Sequence, residues 1–165
     1  MELLLRGTIW ISLLAWVAAE WRRSPQAPTS GRTAWTIGAV AAVVHSALAF
    51  HLRHGWSHDA AWADTARQTE AVLGLDWGGG VFFNYAFLFL WTADADWWHA
   101  HARSFARRPR VIDAFVRGFL WFMFLNGAVV FVPGWRSAVG AAAVLAVAVA
   151  WYRRGCSAAR RITAG

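Results

Sequence analysis

The stretch AWTIGAVAAVVHSALAFHLRHGWSH, residues 34–58, holds the two features that decide what kind of molecule this is. Residues 34–50 contain no charged side chain and a single histidine, His45. A helix needs about 20 mainly apolar residues to cross roughly 30 Å of hydrocarbon, and residues 34–52 have that length. The apolar run then gives way to three closely spaced histidines, His51, His54 and His58. The reading is therefore a membrane span whose end carries a polar cluster.

Four further segments read the same way: residues 3–20, 80–98, 111–132 and 136–152. The chain as a whole agrees. Of its 165 residues, 58% are hydrophobic and 15% charged, against about 45–50% and 25% in soluble domains. The mean hydropathy is +0.36. Thirteen tryptophans suit a chain with many residues at the membrane–water boundary. Trp10, Trp16, Trp35, Trp91, Trp97, Trp98, Trp121, Trp135 and Trp151 lie in or at the ends of the spans, as belts and packing require. The expected fold is one all-α integral membrane bundle over residues 1–165, with about five transmembrane helices and one extracytoplasmic amphipathic helix.

Charge sets the orientation. All sixteen basic residues are Arg, and the net charge is +7. They gather in short clusters between apolar segments rather than along one polar face, which argues for membrane topology and against nucleic-acid binding. Arg22, Arg23 and Arg32 follow the first span; Arg103, Arg107, Arg108 and Arg110 follow the third; Arg153, Arg154, Arg160 and Arg161 fill the tail, residues 153–165. The opposite side holds Arg6, Arg53, Arg67 and Arg136 beside Glu2, Asp59, Asp64, Glu70 and Asp76. The positive-inside rule then puts the N-terminus outside and the C-terminus in the cytoplasm of a bacterial-type inner membrane. An odd number of crossings requires opposite termini, so count and charge agree. The first segment runs directly into Trp21-Arg22-Arg23 and reads as a retained anchor rather than a cleaved signal.

The outer segment, residues 54–79, should contain a helix that starts at the N-cap Ser57 and stops at Gly74. Ala61, Trp62, Thr65, Ala66, Thr69 and Val72 would form its weakly apolar face, with Asp59, Asp64, Arg67 and Glu70 opposite. Such a helix lies on the membrane or caps the bundle.

Three groups of side chains are candidates for chemistry. On a continuous helix His51, His54 and His58 fall within about 60° of one another, and three histidines with an open position are a known zinc arrangement. Asp59, Glu70 or Asp76 would complete a site for zinc or another divalent transition metal. His45 lies about 120° from that face. Bis-histidine haem would need a second buried His that the third and fourth spans lack, so b-type haem is disfavoured, and a hydrogen bond to Asn84, Tyr85 or Asn126 on another helix is expected. At the other end, Asp94 and Asp96 diverge by about 200° on a helix and do not share a metal. A charge inside a span requires a partner, and Asp94 or Asp96 is expected to pair with Arg117 across helices.

Enzyme signatures are scarce. There is no HExxH, GxSxG or phosphate loop. The HxxxH of His54 and His58 lacks both the further boxes of membrane desaturases and the SxxxH companion of alkaline-ceramidase-like hydrolases. The single Cys156 excludes a disulfide within this chain and any CxxC site. Three readings follow. The first is an outward-facing histidine/carboxylate metal site at His51, His54, His58, Glu70 and Asp76, for metal handling, sensing or metal-assisted hydrolysis. The second is an accessory or assembly subunit that partners other membrane subunits as well as the lipid bilayer. The third is a small transporter or proton-linked carrier with a polar path from His45 through Asn126 to Asp94.

Overall fold

The computed structural model describes residues 1–24 and 27–163, with side chains as far as residue 157. Pro25 and Gln26 of the polar loop, and the Arg160 and Arg161 side chains of the basic tail, lie outside the described residues.

Seven α-helices form in chain order: α1 (Glu2–Arg22), α2 (Arg32–Ala49), α3 (His58–Leu73), α4 (Gly80–Ala100), α5 (Ala102–Ala106), α6 (Arg110–Leu125) and α7 (Trp135–Thr163). Two of them end in a π turn, α2 through Phe50–His54 and α6 through Asn126–Val130. Four helical stretches are long and apolar enough to cross a membrane: Glu2–Arg22, Arg32–His54, Arg110–Val130 and Trp135–Ser157. α4 is as long as α1, 21 residues, but Asn84, Asp94, Asp96 and His99 dilute its apolar character.

α1, α2, α4, α6 and α7 pack side by side in a closed ring, each touching the next and α7 returning to α1. The ring has an aromatic centre. Trp16, Trp35 and Trp91 are fully buried, so these three serve packing rather than an interfacial belt. Trp16 stacks on Phe124 at 4.5 Å between centroids, and Trp91 meets Phe124 and Trp35 edge-on at 5.7 and 5.5 Å. Leu120 and Val147 close the middle from α6 and α7. Aromatic pairs in this geometry add about 0.5–1.5 kcal/mol each beyond burial. That matters where lipid tails are as apolar as the helices and packing drives association.

Gly38 lets this centre form. A Cβ there would stand 2.6 Å from Cζ2 of Trp91, and the Gly38 carbonyl accepts a 3.0 Å hydrogen bond from the buried Ser12 hydroxyl. α1 and α2 therefore meet through small groups.

The outer helix α3 follows its sequence signals closely. Ser57 accepts from the Ala60 amide at 3.2 Å. Gly74 ends the helix in the left-handed region, φ 71°, which glycine adopts without a Cβ penalty. Ala61, Ala66 and Thr69 of the expected apolar face are buried, whereas Trp62 and Val72 are exposed.

Gly38→Val is expected to cost about 1–3 kcal/mol by overpacking against Trp91. Gly7→Ala, with nothing within 4 Å of the added Cβ, should gain up to about 1 kcal/mol from helix propensity. Denaturant unfolding in detergent micelles compares the two; equal effects would show that the Gly38 contact is not tight.

Candidate functional site

The two ends of the ring carry different chemistry. At one end lie the C-termini of α1, α4 and α7 and the N-termini of α2 and α6. The Glu20 carboxylate, 0% exposed, is the hub. Arg117 of α6 donates to both its oxygens, Nε to Oε1 at 2.9 Å and Nη2 to Oε2 at 2.7 Å. From α7, Trp151 Nε1 and Arg154 Nη2 each donate to Oε2 at 2.8 Å. A bidentate guanidinium fork is the strongest form of such contact. Arg117 turns its remaining Nη1 to Asp113 at 2.9 Å, one helical turn away. Arg108 then bridges Asp113 to the buried Asp94 of α4.

Arg23 completes the group. Its guanidinium lies between the faces of Trp35 and Trp98, 4.3 and 4.5 Å from the centroids, with Glu20 at 3.9 Å and Asp113 at 3.6 Å. Burial pushes its pKa down to about 10, opposed by the neighbouring Glu20 carboxylate, so it stays cationic at neutral pH. Three carboxylates thus meet four guanidiniums, drawn from α1, α4, α6, α7 and the turns beside them. The network ties helices together, and within it Asp94 Oδ2 and the Arg23 Nε and Nη2 atoms are buried without a hydrogen-bond partner among the described residues.

This arrangement corrects the expected pairing. Arg117 does not bind Asp94 or Asp96: it binds Glu20 and Asp113, while Asp94 takes Arg108 and Asp96 is exposed. Glu20, Arg108 and Arg154 were the residues missed. Glu20 stands at the end of the first apolar segment, and an acid there invites the same search for a partner as Arg117 does.

At the other end the three histidines separate. The π turn at residues 50–54 adds a residue to the helical repeat, and Gly55 and Trp56 then both take positive φ, 54° and 63°. The chain reverses before His58, so the continuous helix that would align the imidazoles is absent. His51 Nδ1 accepts from Trp56 Nε1 at 3.3 Å, and His58 Nδ1 is 2.9 Å from the Tyr85 hydroxyl. Glu70 and Asp76 are exposed. Among the described residues no three His, Cys, Asp or Glu are grouped to hold a metal ion. The expected set of His51, His54, His58, Glu70 and Asp76 is not brought together.

His45 does bond to another helix, but to α1. Its Nδ1 lies 2.9 Å from the Leu5 carbonyl and 3.4 Å from the Thr8 hydroxyl. A carbonyl can only accept, so Nδ1 carries the proton and Nε2 is the free ring nitrogen. Asn126 donates to Phe122 of its own helix at 2.8 Å. Trp35, Trp91 and Phe124 are buried together in the core of the ring.

Above that aromatic layer a cavity of about 340 Å³ opens. Leu13, Ala42, Leu88 and Phe124 line it at depth, and Arg6, His54 and Arg136 line it toward the histidine end. α3 contributes Ala61 and Thr65 to its wall. His45 and Asn84 are also in its wall. The size and mainly apolar lining, with a few polar groups, are those of a small-molecule site. Comparison with protein-family models, with curated proteins and with solved structures finds no match for the chain.

Glu20→Gln would leave Arg154 without a carboxylate partner and Arg117 with Asp113 alone, around a side chain that is fully buried. The expected loss is about 3–5 kcal/mol. Arg67→Ala removes only the exposed Asp64 pair, 2.9 Å, and should cost under about 1 kcal/mol. Thermal unfolding in micelles measures both, and a Glu20→Gln loss as small as that of Arg67→Ala would contradict the hub role.

Proposed function

We propose that the chain is a five-crossing protein of a bacterial-type inner membrane, N-terminus outside and C-terminus cytoplasmic, that binds an apolar or amphipathic small molecule in a cavity open to the outer face. The four long apolar helices support membrane insertion. α4 is the proposed fifth crossing: it packs between α2 and α6 along the ring, and its acidic residue Asp94 is neutralised by Arg108. The Arg-rich connections lie at the end of the ring that holds the Glu20 network, which the positive-inside rule assigns to the cytoplasm. The histidine end, with α3, then faces outward.

The single observation that carries the binding role is the cavity itself: the aromatic layer stands at its deep end, and α3 contributes Ala61 and Thr65 to its wall. An aromatic floor favours holding a ligand over conducting one. The location agrees with an outward-facing site near the histidines, while the walls favour an apolar ligand over a metal ion.

Bromine-labelled decanol is a suitable neutral probe, because Trp10 lines the cavity and bromine quenches indole fluorescence. Saturable quenching is expected, weakened at least about tenfold in Ser46→Phe, where the new ring takes up ligand space. Quenching that never saturates and is the same in both proteins would mean simple partition into the micelle, and the cavity reading would fail.

A further inference from the structure

The cavity wall is mainly apolar, yet its charged members all have one sign. Arg6 enters from α1 and Arg136 from the first turn of α7, and no Asp or Glu lines the cavity among the described residues. His45, His54 and Tyr85 are its other ionisable groups. In the charged network at the opposite end, each guanidinium is offset by a carboxylate nearby. Here the cations are left nearly uncompensated. Among the described residues Arg6 has only Glu2 at 3.9 Å, an exposed pair with side chains 63% and 58% accessible, a contact that contributes little. Arg136 makes no ion pair among the described residues, although it is only half exposed.

The polar groups are also segregated by depth. Arg6 and Leu13 lie on one helix seven positions apart, about 10 Å along its axis. Leu13, Ala42 and Phe124 at the deep end belong to the buried core, whereas Arg6, His54 and Arg136 belong to the outer end. A ligand that satisfies both regions must itself have two parts.

We infer that the cavity takes an amphipathic anion, with a phosphate or carboxylate head between Arg6 and Arg136 and an apolar chain reaching Leu13, Leu88 and Phe124. A guanidinium fork suits the oxygens of such a head in shape as well as in charge. His45 sits along the chain's path with Nδ1 committed to the Leu5 carbonyl, which leaves Nε2 to meet a polar group below the head. Thr65 and Tyr85 supply hydroxyls in the same wall. The inference rests on the binding role proposed above and specifies its ligand class.

The test compares three probes on the full chain in a neutral maltoside detergent: decyl phosphate, decanol and inorganic phosphate, each titrated calorimetrically. Decyl phosphate should bind at least about tenfold more tightly than decanol, since hydrogen bonds between charged groups are stronger than those to a neutral hydroxyl. Inorganic phosphate should bind far more weakly than decyl phosphate, because it leaves the apolar depth unfilled. Arg6→Gln combined with Arg136→Gln should bring decyl phosphate down to the decanol level and leave decanol unchanged. Arg6→Lys with Arg136→Lys should restore most of the difference. Equal binding of decyl phosphate and decanol, unaffected by the Gln pair, would overturn the anionic ligand class while leaving the cavity as an apolar site. Inorganic phosphate binding as tightly as decyl phosphate would overturn the amphipathic requirement. Failure of both decyl probes to bind would remove the binding role itself.

Discussion

One buried carboxylate organises the cytoplasmic end proposed for this protein. Glu20 accepts hydrogen bonds from Arg117, Trp151 and Arg154, and so ties α1 to α6 and α7 at a single point. An unpaired charge away from water costs several kcal/mol, and a pair is tolerated only when its remaining lone pairs and protons are also satisfied. Glu20 meets that condition by spending both oxygens on guanidinium and indole donors. The surplus guanidinium capacity then passes outward, from Arg117 to Asp113 and from Arg108 to Asp94, which draws α4 into the same cluster. Lipid tails give the helices no hydrophobic reason to prefer one another. A polar network that joins α1, α4, α6 and α7 supplies such a preference.

The ring is built in three layers along its axis. The ionic cluster forms the first. The aromatic layer of Trp16, Trp35, Trp91 and Phe124 forms the second, and it needs the close approach of α1, α2 and α4 that Ser12 and Gly38 allow. The third layer is open: α6 and α2 each loosen into a π turn, and the wall between them encloses the cavity. Helical irregularities of this kind are frequent at functional sites. Here one of them contributes His54 and Phe50 to the cavity wall, and Gly127 and Ala128 enter from the other.

Much of the fold was legible in the sequence because the relevant signals are local. Apolar runs marked the long helices, Ser57 and Gly74 marked the ends of α3, and an intramembrane Arg117 demanded a partner. The identity of that partner was not legible. Glu20 is ninety-seven residues from Arg117, and no periodicity connects them; only the order of helices around the ring does. The histidines failed for a different reason. Their alignment assumed an unbroken helix, and a π turn followed by two residues of positive φ at Gly55 and Trp56 breaks it. Trp56 in that conformation could not have been anticipated from residue type, since such a backbone is costly for a bulky side chain.

The account depends on the two ends of the ring facing different aqueous compartments. Single cysteines introduced in a Cys156→Ser background, one as Asp76→Cys and one as Ser104→Cys, report this directly through labelling of intact cells with a membrane-impermeant maleimide. Position 76, in the outer segment, should react at once, and position 104, between α4 and α6, only after the membrane is permeabilised. Labelling of both positions from the same side would contradict α4 as a membrane crossing, and with it the outward-facing cavity.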